Sequence, residues 1–498
     1  ICAFDVWSDL NQDFFRNISP NSVPKKLVPH TPRAHQTRAI ERAKTYYSHL
    51  SNKRGKLIMP CGTGKSLTSF WINDTLNSNT TLIALPSISL LRQTLIVWMR
   101  EFKANWADHK LKWICVCSDD TVSDNSTDEI GSLPQDLGVP CTTDAVEIRD
   151  WFRKTEGTKN RIVFTTYQSS KKIIEASRNS NIKYDLGIFD EAHKTVGKHD
   201  SLFSLMLFDK NISISRRLFM TATERRYMGK SNEIASMEDL EIYGETIDLL
   251  TFKEAIQQTP KIICDYRILT LYITKSEVAE QVLRNKFVRP DIGKWNAEIE
   301  AEMLAAVIAI KKAIQEYPIK HVVSFHSSIA RAKAFRKNTD IFTNTLPQYG
   351  DLDTYHISGS DASSVRQHTL SAFSRSDQSL VTNARCLTEG IDLPAIDCVV
   401  FADPKKSKVD IVQALGRALR PAPNKEFGYI VIPVLLDSEK DFEGFMLENT
   451  FSDLMITLRA LASNDERVID EFRDLSNGRS LGRGSVFNEV ISGSFLAQ

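Results

Sequence analysis

Along most of this chain, short runs of apolar, often β-branched residues alternate with amphipathic stretches of helical spacing, and that alternation leaves few architectures open. A strand that is apolar on both faces must be covered on both, so such runs read as parallel α/β sheets with helices packed on either side. The first series of candidate strands is Lys56–Met59, Thr81–Pro86, Lys112–Ser118, Arg161–Thr166, Asp185–Asp190 and Arg217–Ala222. The second is Arg267–Ile273, His321–Phe325, Asp353–Ser358, Leu380–Asn383, Asp397–Ala402 and Gly428–Val434. Two α/β lobes in tandem are therefore predicted, with a junction near Ile256–Tyr266. After Val434 the pattern turns helical, and Leu454, Leu458, Leu461, Val468 and Phe472 fall near one face of a helix expected to pack on the second lobe.

Composition narrows the classes. A chain of 498 residues fits about three domains. Hydrophobic residues make up 42% and charged residues 25%, and no apolar run approaches the roughly 18 residues of a membrane span, so a soluble protein without membrane partners is expected. The 63 Lys and Arg nearly balance 62 Asp and Glu, so a nucleic-acid partner has to sit in a locally basic groove. Eight irregularly spaced cysteines give no disulfide framework and suit a reducing cytoplasm. Cys115-Val116-Cys117 lies in a strand-like run and lacks the second ligand pair that structural zinc needs. The chain opens Ile1-Cys2-Ala3, which suggests a start inside a longer protein, and Thr121–Pro140, rich in Ser, Asp and Gly, reads as a surface loop.

Two motifs carry chemistry. Lys56 to Ser66 reads Lys-Leu-Ile-Met-Pro-Cys-Gly-Thr-Gly-Lys-Ser, an apolar strand entering a glycine-rich turn and then a helix. Gly62, Thr63 and Gly64 let backbone N–H groups wrap phosphate oxygens at a helix N-terminus; Lys65 would hold β- and γ-phosphates, and Ser66 would bind magnesium. Met59 stands where the full P-loop pattern has its first glycine. The run Tyr184 to His193 ends a buried strand in adjacent carboxylates, placed for Asp190 to support magnesium and Glu191 to polarise water. Open α/β sheets bind ligands at the C-terminal ends of their strands, where both motifs fall. ATP and Mg2+ are the cofactors this implies.

With these on the page, the chain resembles superfamily 2 helicases of the Asp-Glu-Ala-His kind over residues 31–436. Pro32-Arg33-Ala34-His35-Gln36 resembles the upstream element whose Gln reads adenine, which implies Arg33 and Gln36 at the base. Thr221-Ala222-Thr223 resembles the motif that couples the two ligand sites, with His193 and Gln413 as further coupling residues. Thr388 to Pro394 looks like motif V, implying Gly390 and Asp392 at the nucleotide, and Gln413 to Arg420 like motif VI. Phosphoryl transfer spreads charge over the γ-phosphate, so Arg417 and Arg420, at i and i+3 on one lobe, would make catalysis depend on closure over the other. The resemblance implies two tandem RecA-like domains: a linker at 1–30, domains at 31–255 and 256–436, and a helical extension at 437–498.

A closer likeness is to the motor of type ISP restriction-modification enzymes and related defence-island helicases. It rests on the wording Cys61 to Lys65, Thr165 to Ser169, Asp190 to Lys194, Thr221 to Arg226, Cys264 to Arg267 and Leu458 to Leu461. It implies a DNA translocase in restriction or antiviral defence, with nuclease or methyltransferase domains or subunits outside this chain, since motifs for neither are evident. By the same resemblance the first lobe supplies Ser87, Arg92, Thr166, Tyr167 and Gln168 to nucleic acid, and the second His326, Ser327, Gly359 and Arg366. DNA is favoured; an RNA helicase or RNA-activated ATPase uses the same motifs, and a nucleotide-gated binding switch is the alternative from another class.

Overall fold

A computed structural model describes residues 27–105, 111–117, 141–225, 227, 233–276, 278–279, 297–345, 351–359, 361, 363–383, 396–402, 416, 418–422, 425–436, 465, 467–468, 471 and 486–492. The first lobe runs through β1 (Arg54–Ile58), β2 (Thr80–Leu85), β3 (Lys112–Val116), β4 (Cys141–Thr142), β5 (Arg161–Thr166), β6 (Tyr184–Phe189), β7 (Gly197–Lys198), β8 (Ile214–Thr221), β9 (Ile234–Ala235) and β10 (Glu245–Leu249). The second adds β11 (Asp265–Thr274), β12 (His321–Phe325), β13 (Asp353–Ile357), β14 (Ser379–Asn383), β15 (Cys398–Phe401), β16 (Phe427–Leu436) and β17 (Phe487–Ser492). Every strand expected from the sequence is present, shifted by no more than a few residues.

The first sheet has eight strands in the order β10-β1-β8-β6-β2-β5-β3-β4, and each neighbouring pair is parallel. The second has seven, in the order β13-β14-β12-β15-β16-β11-β17, again parallel throughout. These are two RecA-like α/β domains. Parallel strands need crossovers, and helices supply them: Lys65–Thr75 follows β1, Ile88–Asn105 follows β2, and Ser170–Asn179 follows β5. Because all strands of a sheet point one way, the loops after β1, β8, β6, β2 and β5 share one edge.

Core packing follows the pattern that predicted it. β2 is buried along its whole length, as a central strand covered on both faces must be. Trp98, from helix Ile88–Asn105, is fully buried and meets Phe70 and Phe164 edge-on at 5.3 and 6.2 Å. On the opposite face, Phe189 lies 5.1 Å from Phe219, which lies 4.9 Å from Tyr243. No helix among the described residues is long and apolar enough to cross a membrane.

The C-terminal stretch departs from expectation. Within 437–498, read as helical, the structure has β17, which pairs with β11 at the edge of the second sheet. The β-branched pair Val490-Ile491 suits that strand better than a helix. Val468 is buried, while Leu454, Leu458, Leu461, Phe472 and the loop expected at 121–140 lie outside the described residues.

Candidate nucleotide-binding site

The turn after β1 has the backbone its glycines were expected to supply. Gly62 has φ 83° and Gly64 φ 87°, both left-handed, and Gly64 caps the helix that starts at Lys65. A side chain on Gly64 would also run into Gln36, since a Cβ there would lie 2.5 Å from Gln36 Nε2. Gln36 is buried; its Oε1 accepts the Arg33 N–H at 2.9 Å and its Nε2 faces Gly64 O at 3.4 Å. Arg33 itself is exposed at the start of helix Ala34–Ser48. His35, which the sequence reading passed over, bonds through Nε2 to Thr63 O at 2.9 Å, so two side chains of one helix brace this turn. Its only signal was position, next to Gln36.

β6 brings Asp190 and Glu191 to the same place. Lys65 Nζ lies 3.2 Å from Glu191 Oε1, and His193 Nδ1 lies 3.4 Å from Glu191 Oε2. His193 Nδ1 also meets Thr221 Oγ1 at 3.1 Å; that hydroxyl donates to Thr223 O at 2.8 Å, so Nδ1 must carry the proton. The expected coupling residues His193, Thr221 and Thr223 are thus linked by hydrogen bonds beside the Glu191 carboxylate. Burial and the Glu191 charge raise the Asp190 carboxyl above its ordinary value, with Lys65 partly opposing them. Burial pushes Glu191 upward too, yet Lys65, His193 and Lys194 outweigh it and hold Glu191 below the usual range. Lys65 stays charged, because Glu191, Cys61 and Asp190 overcome its desolvation.

These residues fit a nucleoside triphosphate with magnesium. Glu191 Oε2 and His193 Nε2 are buried atoms without a hydrogen bond, and with Lys65 Nζ they converge beside a turn whose backbone is shaped for phosphate. Ser66 is half-buried at the head of its helix, where its hydroxyl and the Asp190 carboxylate would hold the ion.

The second lobe reaches this turn. A Cβ on Gly62 would lie 3.6 Å from Arg420 Cγ, and one on Gly416 would collide with Cys61 Cβ. Burial lowers the Arg420 pKa, as expected for a guanidinium drawn out of water. Its segment is fixed by its own carbonyls: Lys425 Nζ donates to Ala418 O at 2.5 Å and Arg420 O at 3.2 Å, and Cys264 N–H donates to Leu419 O at 2.9 Å. Arg417, Gly390, Asp392 and Gln413 lie outside the described residues.

Comparison with known proteins agrees with this arrangement. The family "Type III restriction enzyme, res subunit" matches residues 29–226, and "Helicase conserved C-terminal domain" matches residues 305–422. The solved type ISP restriction-modification enzyme LlaBIII bound to DNA superposes with a TM-score of 0.78 and 26% identity, over 96% of this chain and 32% of that one. In sequence and fold the chain resembles the superfamily 2 helicase motors. A second type ISP enzyme, LlaGI, solved as a nuclease-deletion mutant with a DNA substrate mimic, has a TM-score of 0.61 and 26% identity over 89% of this chain and 30% of its own. "Probable helicase A859L" of African swine fever virus (isolate Tick/South Africa/Pretoriuskop Pr4/1996) is 25% identical over 84% of this chain. The chain spans 42% of that relative's length.

The residues expected at nucleic acid divide into two groups. Arg92 and Ser327 are exposed, while Ser87 and Gln168 are half-buried. Ser87 also does ordinary work, its hydroxyl accepting the Leu90 N–H at the start of a helix. Gln168 Nε2 donates to Pro86 O at 3.1 Å, tying the loop after β5 to the one after β2. Four others have side chains that face inward. Thr166 pairs with Ser169 Oγ at 3.1 Å, and Tyr167 is fully buried with its hydroxyl on Asp190 O. His326 is buried on Ser324 Oγ and the Phe335 ring, and Arg366 is buried with Nη1 facing Gly359 O at 3.4 Å. Gly359 is buried as well.

Proposed function

We propose that this chain is a nucleic-acid-stimulated ATPase, the motor core of a DNA translocase or helicase that serves a restriction-modification or other antiviral system. The observation that carries the reading is the meeting of Arg420 with Gly62 beside Lys65, Asp190 and Glu191, a catalytic set split between two lobes. Lys65 would hold the β- and γ-phosphates, and Ser66 with Asp190 the magnesium. Bound magnesium would neutralise phosphate charge as the terminal bond breaks. Glu191, kept ionised by Lys65, would accept a proton from the attacking water. Arg420, and Arg417 three residues before it, would stabilise charge spread over the transferring group. Gly390 and Asp392 would close on the nucleotide, with Gln413 in the coupling path.

DNA is favoured as the polymer because both type ISP relatives carry it in their structures. Nuclease or methyltransferase domains would then lie outside this chain. No disulfide joins the described cysteines, which suits a reducing cytoplasm. The test is ATP hydrolysis with duplex DNA, single-stranded DNA and RNA, followed by triplex displacement on duplex DNA with ATP and with a non-hydrolysable analogue. Stimulation by duplex DNA, with displacement that needs hydrolysis, is the expected result. Stimulation by RNA alone would contradict the restriction-type reading, and nucleotide-dependent binding without turnover would indicate a switch.

A further inference from the structure

Glu191 has φ 47° and ψ 47°, a left-handed backbone that a glutamate adopts only when its surroundings enforce it. The loop Asp190–Thr195 shows how. Asp190 N–H donates to Ala84 O at 3.0 Å, and the Glu191 N–H donates to Asp190 Oδ1 at 2.9 Å. Glu191 O accepts from Lys194 N at 2.9 Å, and Ala192 O accepts from Thr195 Oγ1 at 2.7 Å. The carbonyl of Asp190, which belongs to the peptide that sets the Glu191 φ, is held at 2.7 Å by the hydroxyl of Tyr167. Burial, with Asp190, Tyr243 and Glu191 nearby, raises the Tyr167 phenol well above its ordinary value, so it remains a donor.

Tyr167 stands at the seam between two loops. It follows β5 directly and opens the turn Tyr167–Ser169, whose Gln168 donates to Pro86 O in the loop after β2. Those loops carry Ser87 and Gln168, half-buried residues of the face expected to meet nucleic acid. We infer that Tyr167 is a positioning residue that links this face to the water-activating carboxylate, its hydroxyl fixing the Asp190–Glu191 peptide. Movement of the 166–168 turn on a bound strand shifts that hydroxyl, and with it the left-handed geometry that aims Glu191. The inference rests on the function proposed above.

The experiment compares the parent chain with Tyr167→Phe and Tyr184→Phe by steady-state ATP hydrolysis, with and without duplex DNA, and by thermal melting. Tyr184 is a matched control: fully buried in the same lobe, its hydroxyl meets Ser177 Oγ at 2.9 Å, away from the site. Tyr167→Phe should lower DNA-stimulated kcat by about tenfold, leave KM for ATP within about twofold, and shrink the ratio of stimulated to basal turnover. Tyr184→Phe should lower Tm by a similar amount and keep kcat within about twofold of the parent. An unchanged stimulation ratio in Tyr167→Phe, or an equal loss of kcat in Tyr184→Phe, would overturn the inference. A parent that DNA does not stimulate would overturn the proposed function as well, and is read in its own arm.

Discussion

Glu191 carries the catalytic claim at the scale of single residues. Its left-handed backbone costs about 1–3 kcal/mol for a non-glycine residue, a cost the folded loop sustains. Glu191→Gln keeps the shape and removes the base, so ATP affinity should hold within about threefold while turnover falls on the order of 10²- to 10⁴-fold. Equilibrium binding of an ATP analogue beside steady-state hydrolysis checks both. His193 gives a prediction about stability. Burial pushes it down to about 4, an effect Glu191 only partly offsets. Its unfolded value is near 6.5, so as pH falls the unfolded chain takes up this proton before the folded one. The contribution is complete above about pH 6.5 and is lost toward about pH 4. Urea midpoints should fall from about pH 7 to about pH 5, and fall less in His193→Gln. Lys65, Asp190 and Glu191 were legible because strand, turn and residue type point to one chemistry. The inward turn of Tyr167, His326 and Arg366 was not, since polarity gives no hint of which way a side chain points at the end of a strand.

Among elements, the helix Ala34–Ser48 matters most, because it carries His35 and Gln36 to the phosphate turn. It is held to β10 by Asp248, which is buried and accepts from Arg38 Nη2 at 3.1 Å and Arg42 Nη1 at 2.5 Å. Arg38 also pairs with Glu254. Asp248→Asn should lower stability by about 1–2 kcal/mol, a modest loss because the side chains of Arg38 and Arg42 are 30% and 55% exposed and can return to water. It should raise KM for ATP while leaving kcat near the parent value, because the change acts on the helix that braces the glycine turn and not on the carboxylates. Urea unfolding and steady-state kinetics together test this. The strands of the first and second series were legible as apolar runs. β10 was not, because Glu245-Thr246-Ile247-Asp248-Leu249 is an edge strand with acidic positions, and its parallel pairing with β1 is a long-range fact. β17 was missed because Phe487–Ser492 is a short edge strand whose parallel pairing with β11 is a long-range fact.

For the whole molecule, two parallel sheets lie in tandem and meet where Gly416 and Arg420 approach the turn after β1, and near-balanced charge leaves any nucleic-acid partner to a local groove. The order of motifs made two lobes legible and set Arg420 opposite the glycine turn, but the touch of Gly416 on Cys61 had no sequence signature, because contacts between lobes depend on shape. Shared catalysis is the central claim, and one comparison tests it most directly: DNA-stimulated turnover and ATP affinity of Arg420→Ala beside the parent. An arginine from a second lobe serves chiefly the transition state, so turnover should fall on the order of 10³-fold with ATP affinity within about threefold. Turnover that survives the substitution, or an ATP affinity that falls as far as turnover, would contradict a catalytic site completed by the second lobe.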